Sequence, residues 1–199
     1  MRRRTFDMLA SGAGLLIAIV LIVAAALMTW AYTFVNGQVS SQLSAQKIVF
    51  PAAGSAELKA LPPADAAAMT HYSGQLMTNG AQAQTYANNF IAVHLNEIGG
   101  GKTYSQLSAE SLANPSDTAL AAKVQTVFQG TTLRGLLLNA YAFWKIGQLL
   151  LIASIIAYVA GGIMLILSLL GLWHSRHTAP QQELFGGSGR PSGSPATAT

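Results

Sequence analysis

The sequence predicts an all-α membrane protein in which two transmembrane helices flank a helical extracytoplasmic lobe. Three observations predict it. Hydrophobic residues make up 51% of the 199-residue chain and charged ones only 9%, far from the balance of an ordinary soluble domain. Two long windows carry no charged residue at all. Between them, apolar residues recur at helical spacing and are punctuated by glycine and proline.

Residues 1–7 form a basic N-terminus, with Arg2, Arg3 and Arg4 ahead of the first apolar window. The first span is placed at residues 8–35, where LASGAGLLIAIVLIVAAALMTWAYTF gives about 39 Å of helix against ~30 Å of hydrocarbon. A cleaved signal peptide is the rival reading, because Ala24, Ala25 and Ala26 offer small residues. The apolar run continues to Phe34, longer than a secretory h-region requires, so a retained span is expected. Arg3, Arg4 and Phe6 match a twin-arginine export signal only in part.

Residues 36–144 are read as the lobe. VNGQVSSQLSAQ extends the first helix as a stalk, with Val35, Val39 and Leu43 on one face, until Pro51 disfavours helix at Phe50. LPPADAAAMTHY reads as a connection and a short helix. The clearest helix covers about residues 80–98, capped by Thr78 or Asn79 and facing inward with Ala83, Tyr86, Ala87, Phe90, Val93 or His94, and Ile98. The run Gly99, Gly100, Gly101 ends it. A weaker helix, TYSQLSAESLA, breaks at Asn114 and Pro115. Pro115 is then expected at the first position of SDTALAAKVQTVF, a helix with Leu120, Val124, Val127 and Phe128 on one face and Gly130 as its stop. A last helix from Thr131 feeds the second span. Phe90, Val93, Val124 and Phe128 are the expected core of the lobe.

The second span is placed at residues 145–173, and residues 174–199, rich in Gly, Ser, Pro and Thr, read as a disordered cytoplasmic tail. Arg2, Arg3 and Arg4 before the first span, with Arg176 and Arg190 after the second, put both termini in the cytoplasm. The plasma membrane is the expected location. Trp30, Tyr32 and Phe34, and Tyr141, Phe143 and Trp144, are expected at the outer interface, with Trp173 at the inner one. Most of the net charge of +4 sits in the tails, where anionic headgroups lie, since Lys47, Lys59, Lys102, Lys123, Arg134 and Lys145 are nearly balanced by Glu57, Asp65, Glu97, Glu110 and Asp117. No basic patch with interleaved aromatics points to nucleic acid. The chain has no cysteine, hence neither disulfide nor thiolate chemistry.

Few motifs carry chemistry. GGGKT resembles a phosphate-binding loop, but the glycine that such a loop needs five places before Gly101 is Asn96, and a helix precedes it where a strand is required. It is read as a helix stop with an exposed Lys102, and no nucleotide is expected. His71, His94 and Glu97 contain the residue types of a two-histidine, one-carboxylate site without firm ligand spacing, so no metal is expected. No nucleophile elbow accompanies the serines, and no cofactor or catalytic residue is assigned. Apart from Lys145 at the outer end of the second, neither span holds an ionisable group of the kind that ion pathways use. Small residues recur every fourth position at Ala10, Gly14 and Ala18 and at Ala153, Ala157 and Gly161, the expected helix-packing positions.

The stretches RRRTFDMLASGAGLLIAIVLIVAAALMTWAYTFVNGQV, AQAQTYANNFIAVHL with GGKTY, and LRGLLLNAYAFWKIGQ resemble a family of small actinobacterial two-span membrane proteins of unknown role. The resemblance reaches about Trp173 and leaves out the tail. It implies a location and an architecture, and assigns no catalytic residue. Some relatives are labelled aromatic ring-opening dioxygenase small subunit, which implies a helical subunit completing a metal enzyme. Two function classes follow. The first is a non-enzymatic envelope protein, an accessory, assembly or scaffold subunit with the bilayer and a protein partner, or further copies of itself, as its contacts. The alternative is a subunit of a membrane-associated enzyme such as that dioxygenase.

Overall fold

The computed structural model describes residues 3–177, and those residues fold as helices without a named strand. Two helices dominate: α1, Arg3–Ala45, of 43 residues, and α7, Thr118–His177, of 60 residues. Between them lie α2 (Ala56–Lys59), α3 (Pro63–Thr70), α4 (Gly80–Tyr86), a π-helical turn (Ala87–Ile91), α5 (Ala92–Gly99) and α6 (Tyr104–Ala113). Both α1 and α7 are long and apolar enough to cross a membrane. The tail expected to be disordered falls mostly outside the described residues; its first part, His174 to His177, continues α7.

The chain divides into two compact units. The first comprises Met1–Leu27 and Ser154–Thr199, described from Arg3 to His177. Here the ends of α1 and α7 pair antiparallel: Gly14 faces Ser168 while Gly171 faces Ser11. Polarity is inverted relative to a water-soluble protein. Small residues fill the interface, with Ala18 and Ala25 fully buried, whereas Leu16, Val20, Ile156 and Ile166 are more than half exposed.

The second unit, Met28–Ala153, holds the core. Its centre is Phe50, Leu58, Leu61, Met69, Met77, Ala83 and Ala87, closed by Val39 and Leu43 of α1 and Leu137 of α7. α1 ends where Lys47 enters the left-handed region at φ 53°, and the chain runs extended into Phe50. A single antiparallel bridge, Val49 to Leu76, then ties that segment to the approach of α4, with Met77 N donating to the Ile48 carbonyl at 2.8 Å. Ser55 caps α2, and Pro63 opens α3 at a first-turn position where its missing N–H costs nothing.

The predicted helix of residues 80–98 is present with Asn79 as its cap: Asn79 Oδ1 accepts from Gln82 N while the Gln82 side chain returns to the Asn79 N–H. Its middle differs from expectation. The π-helical turn inserts an extra residue per turn, so the inward face runs Ala83, Ala87, Ile91 and Gly99, and Ile98, expected inside, is 39% exposed. Gly100, at φ 61° and ψ 41°, stops α5 in the left-handed conformation that a glycine adopts without steric cost. Thr103 caps α6 reciprocally with Gln106.

Three further expectations are corrected at α7. Pro115 is not its first residue: Asp117 accepts from Leu120 N at 2.8 Å, and the carboxylate cap places the start at Thr118. Gly130 does not stop it, because the helix continues without interruption and Gly130 instead lets Leu95 approach. Phe128 is 46% exposed against Tyr104, while its neighbour Val127 is buried. In a helix unbroken at Gly130, Val127 and Leu137 take the inward positions.

Candidate binding groove

Each residue singled out in the sequence has a definite place. His71 packs edge-on against Tyr72 at 4.6 Å. From Tyr72 a continuous ladder of rings runs through Phe50, Tyr86 and Phe90 to His94, with successive centroids 4.4–5.4 Å apart. The two histidines therefore stand at opposite ends of a packed aromatic column. His94 Nδ1 donates to the Phe90 carbonyl at 2.8 Å, and Glu97 is exposed. Among the described residues no three of His, Asp and Glu are grouped to hold a metal. Lys102 pairs with Glu110 at 2.7 Å, both half-exposed, and Thr103 is used as a cap, so the backbone of GGGKT serves to stop one helix and start the next.

Of the six small residues proposed to pack helices, Gly14, Ala18 and Gly161 lie in the first unit's interface. A Cβ on Gly161 would stand 3.3 Å from Leu21 Cβ and 3.4 Å from the Ala18 carbonyl. Ala157 is half-buried there; Ala153, in the second unit, is half-buried too, and Ala10 is exposed. The buried positions follow a seven-residue period: Ser11, Ala18 and Ala25 on α1, and Ser154, Gly161, Ser168 and Ser175 on α7. Such a period marks a left-handed antiparallel seam, which also takes in Gly14, four residues before Ala18 in the ladder read in the sequence. The serines give no packing signal in the sequence, being polar residues inside apolar runs. A serine in a helix can return its hydroxyl to its own backbone, as Ser175 does to the Leu172 carbonyl at 2.8 Å.

The feature that sequence reading missed lies in the second unit. Residues 34–46, the end of α1 and the residue after it, and 133–143 of α7 enclose an open groove of about 480 Å³. Its floor is Val39, Leu43 and Leu137, all buried. Leu133, Leu136 and Phe143 of α7 rise on one flank, with Leu136 and Phe143 about 60% exposed. Along the other flank Gln38 and Gln42 stand one helical turn apart, with Gln46 just past the end of α1, and Asn139 faces the groove from α7. None of these four carboxamides is hydrogen-bonded elsewhere among the described residues. Among the described residues no ionisable side chain lines the groove. The signal was present as glutamines every fourth residue in VNGQVSSQLSAQ, but it acquires meaning only when α7 is set beside it.

The surrounding charges are few. Burial raises the Tyr86 phenol above its ordinary 10.0, and Glu57, at the first turn of α2, is lowered by hydrogen bonds from its own backbone and from Ser55. Neither adjoins the groove. Comparison with protein-family models, with curated proteins and with solved structures gives no match.

Proposed function

We propose that the chain is a two-span integral protein of the cell membrane, with both termini cytoplasmic and residues 36–144 exported as a helical lobe, acting as a non-enzymatic accessory or assembly subunit. The observation that carries this reading is the inverted polarity of the first unit. Its helices bury Ser11, Gly14, Ala18, Ser154 and Ser168 while leaving Leu9, Leu16, Leu27, Ile156 and Ile166 exposed. In water each open leucine or isoleucine would forgo about 1.5–3 kcal/mol of burial, whereas in hydrocarbon that cost disappears. Arginine flanks at both ends support this orientation.

The exported lobe offers contacts more readily than chemistry, since its histidines are separated by the ring column and its open feature is an apolar and amide groove. Because the chain has no cysteine, single replacements report topology directly. In intact cells a cysteine at Ser116 should react with an impermeant thiol reagent and one at Ser188 should not. Reversed labelling would overturn the orientation, and release of the chain from membranes by alkaline carbonate would overturn the spans.

A further inference from the structure

We infer that the groove between residues 34–46 and 133–143 binds an uncharged lipid, its acyl chain against the leucine flank of α7 and its hydroxyl- or ester-bearing head against the carboxamides of α1. The ligand's source rests on the membrane reading above; its chemistry rests on the lining alone.

Size is the first argument. A volume of about 480 Å³ falls within the roughly 300–1,000 Å³ of small-molecule sites. Charge is the second. An anionic headgroup would find no lysine or arginine in the lining, and a cationic one no carboxylate, so a neutral head is the complement. Gln38 and Gln42 each present two donors and an acceptor oxygen, on side chains about 5–6 Å apart along the helix, a row suited to hydroxyl and ester oxygens. The third argument is exclusion of an apolar partner helix. A helix already satisfies its own backbone groups, so one laying an apolar face over this flank would dry the amides without pairing them, at roughly 1–3 kcal/mol for each. A lipid head supplies the missing partners. Finally, Trp30 stacks on Phe34 at 5.8 Å, and Tyr141 contacts Trp144 at 6.3 Å. Such rings prefer the headgroup layer, which sets the Phe34 and Phe143 end of the groove where lipids are in reach.

The test uses the full-length protein in nanodiscs of phosphatidylcholine carrying trace amounts of a photoactivatable monoacylglycerol or, separately, photoactivatable phosphatidylglycerol. Adducts are mapped by mass spectrometry. The monoacylglycerol should label residues 34–46 and 133–143 about tenfold above residues 16–20 of α1, a ratio equivalent to ~1.4 kcal/mol. Phosphatidylglycerol should show no such preference. Gln42→Glu, which adds a charge, and Ala140→Trp, which fills the groove, should both abolish the preference while labelling of residues 16–20 persists. Gln42 and Leu136 are exposed, so Gln42→Glu and a second variant, Leu136→Gln, keep the test independent of folding.

Uniform labelling, a preference for the anionic probe, or indifference to these variants would overturn the inference. So would disulfide trapping of Gln42→Cys between two copies without any groove adduct, which would assign the groove to self-association. A chain that never enters the nanodisc defeats the membrane reading instead; the groove is then scored with the same monoacylglycerol probe in aqueous solution, where absence of groove adducts overturns it equally.

Discussion

Arg134 reaches from α7 to the π-helical turn, where its Nε donates to the Ala87 carbonyl at 3.3 Å. A second nitrogen of the same guanidinium donates to Asn88 Oδ1 at 3.0 Å. The Ala87 carbonyl already receives the Ala92 N–H in the widened turn, so the arginine occupies its second lone pair. On the other side Asn89 Nδ2 donates to Asp65 Oδ1 at 2.7 Å, tying the turn to α3. The turn that re-phases the 80–99 segment is thus pinned from both flanks.

Loss of that pin should destabilise the second unit. Arg134→Ala is expected to cost about 1.5–3 kcal/mol, the range of hydrogen bonds made by charged groups. Arg134→Lys should recover only part of it, because an ammonium cannot reproduce the fork that meets two acceptors. Denaturant titration of the detergent-solubilised protein, followed by protease sensitivity of residues 46–117, measures both. Wild-type stability in the alanine variant would show that the π-helical turn stands without α7.

Gly80 allows α4 to lie directly on Trp144, since a Cβ there would overlap the Trp144 Cβ and stand 2.7 Å from its Cγ. Those atoms are the root of a rigid side chain and cannot swing aside. Gly80→Ala should therefore destabilise by about 1–3 kcal/mol through overpacking, despite alanine's better helix propensity. Gly130→Ala meets the flexible end of Leu95 at 2.5 Å and should cost less. Unfolding midpoints that rank the two the other way would contradict this packing.

What was legible in the sequence was whatever depends on local signals. The two apolar windows, the asparagine cap, the glycine stop at Gly100 and the stalk from Val35 to Leu43 all state their reasons within one or two turns. Gly130 misled because glycine marks both a helix stop and a close approach, and only the presence of Leu95 distinguishes them. Phe128 misled because a helix read as ending at Gly130 hides how α7 continues to Leu137. The π-helical turn has no short-range signature in ANNFI; it is stabilised by Arg134, 47 residues beyond Ala87. The groove escaped for the same reason, being shared by two segments, residues 34–46 and 133–143, that lie far apart in the chain.

Core membership separates two phenylalanines that look alike in the sequence. Phe50 is 1% exposed and meets Tyr72 and Tyr86 at 5.3 and 5.4 Å. Phe50→Ala should cost about 3–5 kcal/mol, enough to open the second unit to protease. Phe128 is 46% exposed and touches Tyr104 at 5.4 Å, so Phe128→Ala should cost no more than about 1.5 kcal/mol, the upper end for an aromatic pair. Equal protease sensitivity of the two variants would show that the core is not organised around Phe50.

Tyr86 links that core to pH. Burial raises its phenol above 10.0, so the folded state holds the proton more tightly than the unfolded chain does. The stability Tyr86 contributes is therefore fully present below about pH 10 and is lost as pH rises through the elevated folded value. Ionisation in place would set a phenolate against Phe50 and Phe90, whose rings lie 5.4 and 4.9 Å away. Tyr86→Phe keeps the ring and removes the proton, so its stability should fall less than that of the wild type between about pH 8 and pH 11. Parallel denaturant titrations at the two pH values isolate this residue from the other tyrosines and lysines, which both proteins share. Parallel losses in the two proteins would mean that the Tyr86 phenol is open to solvent in the folded state.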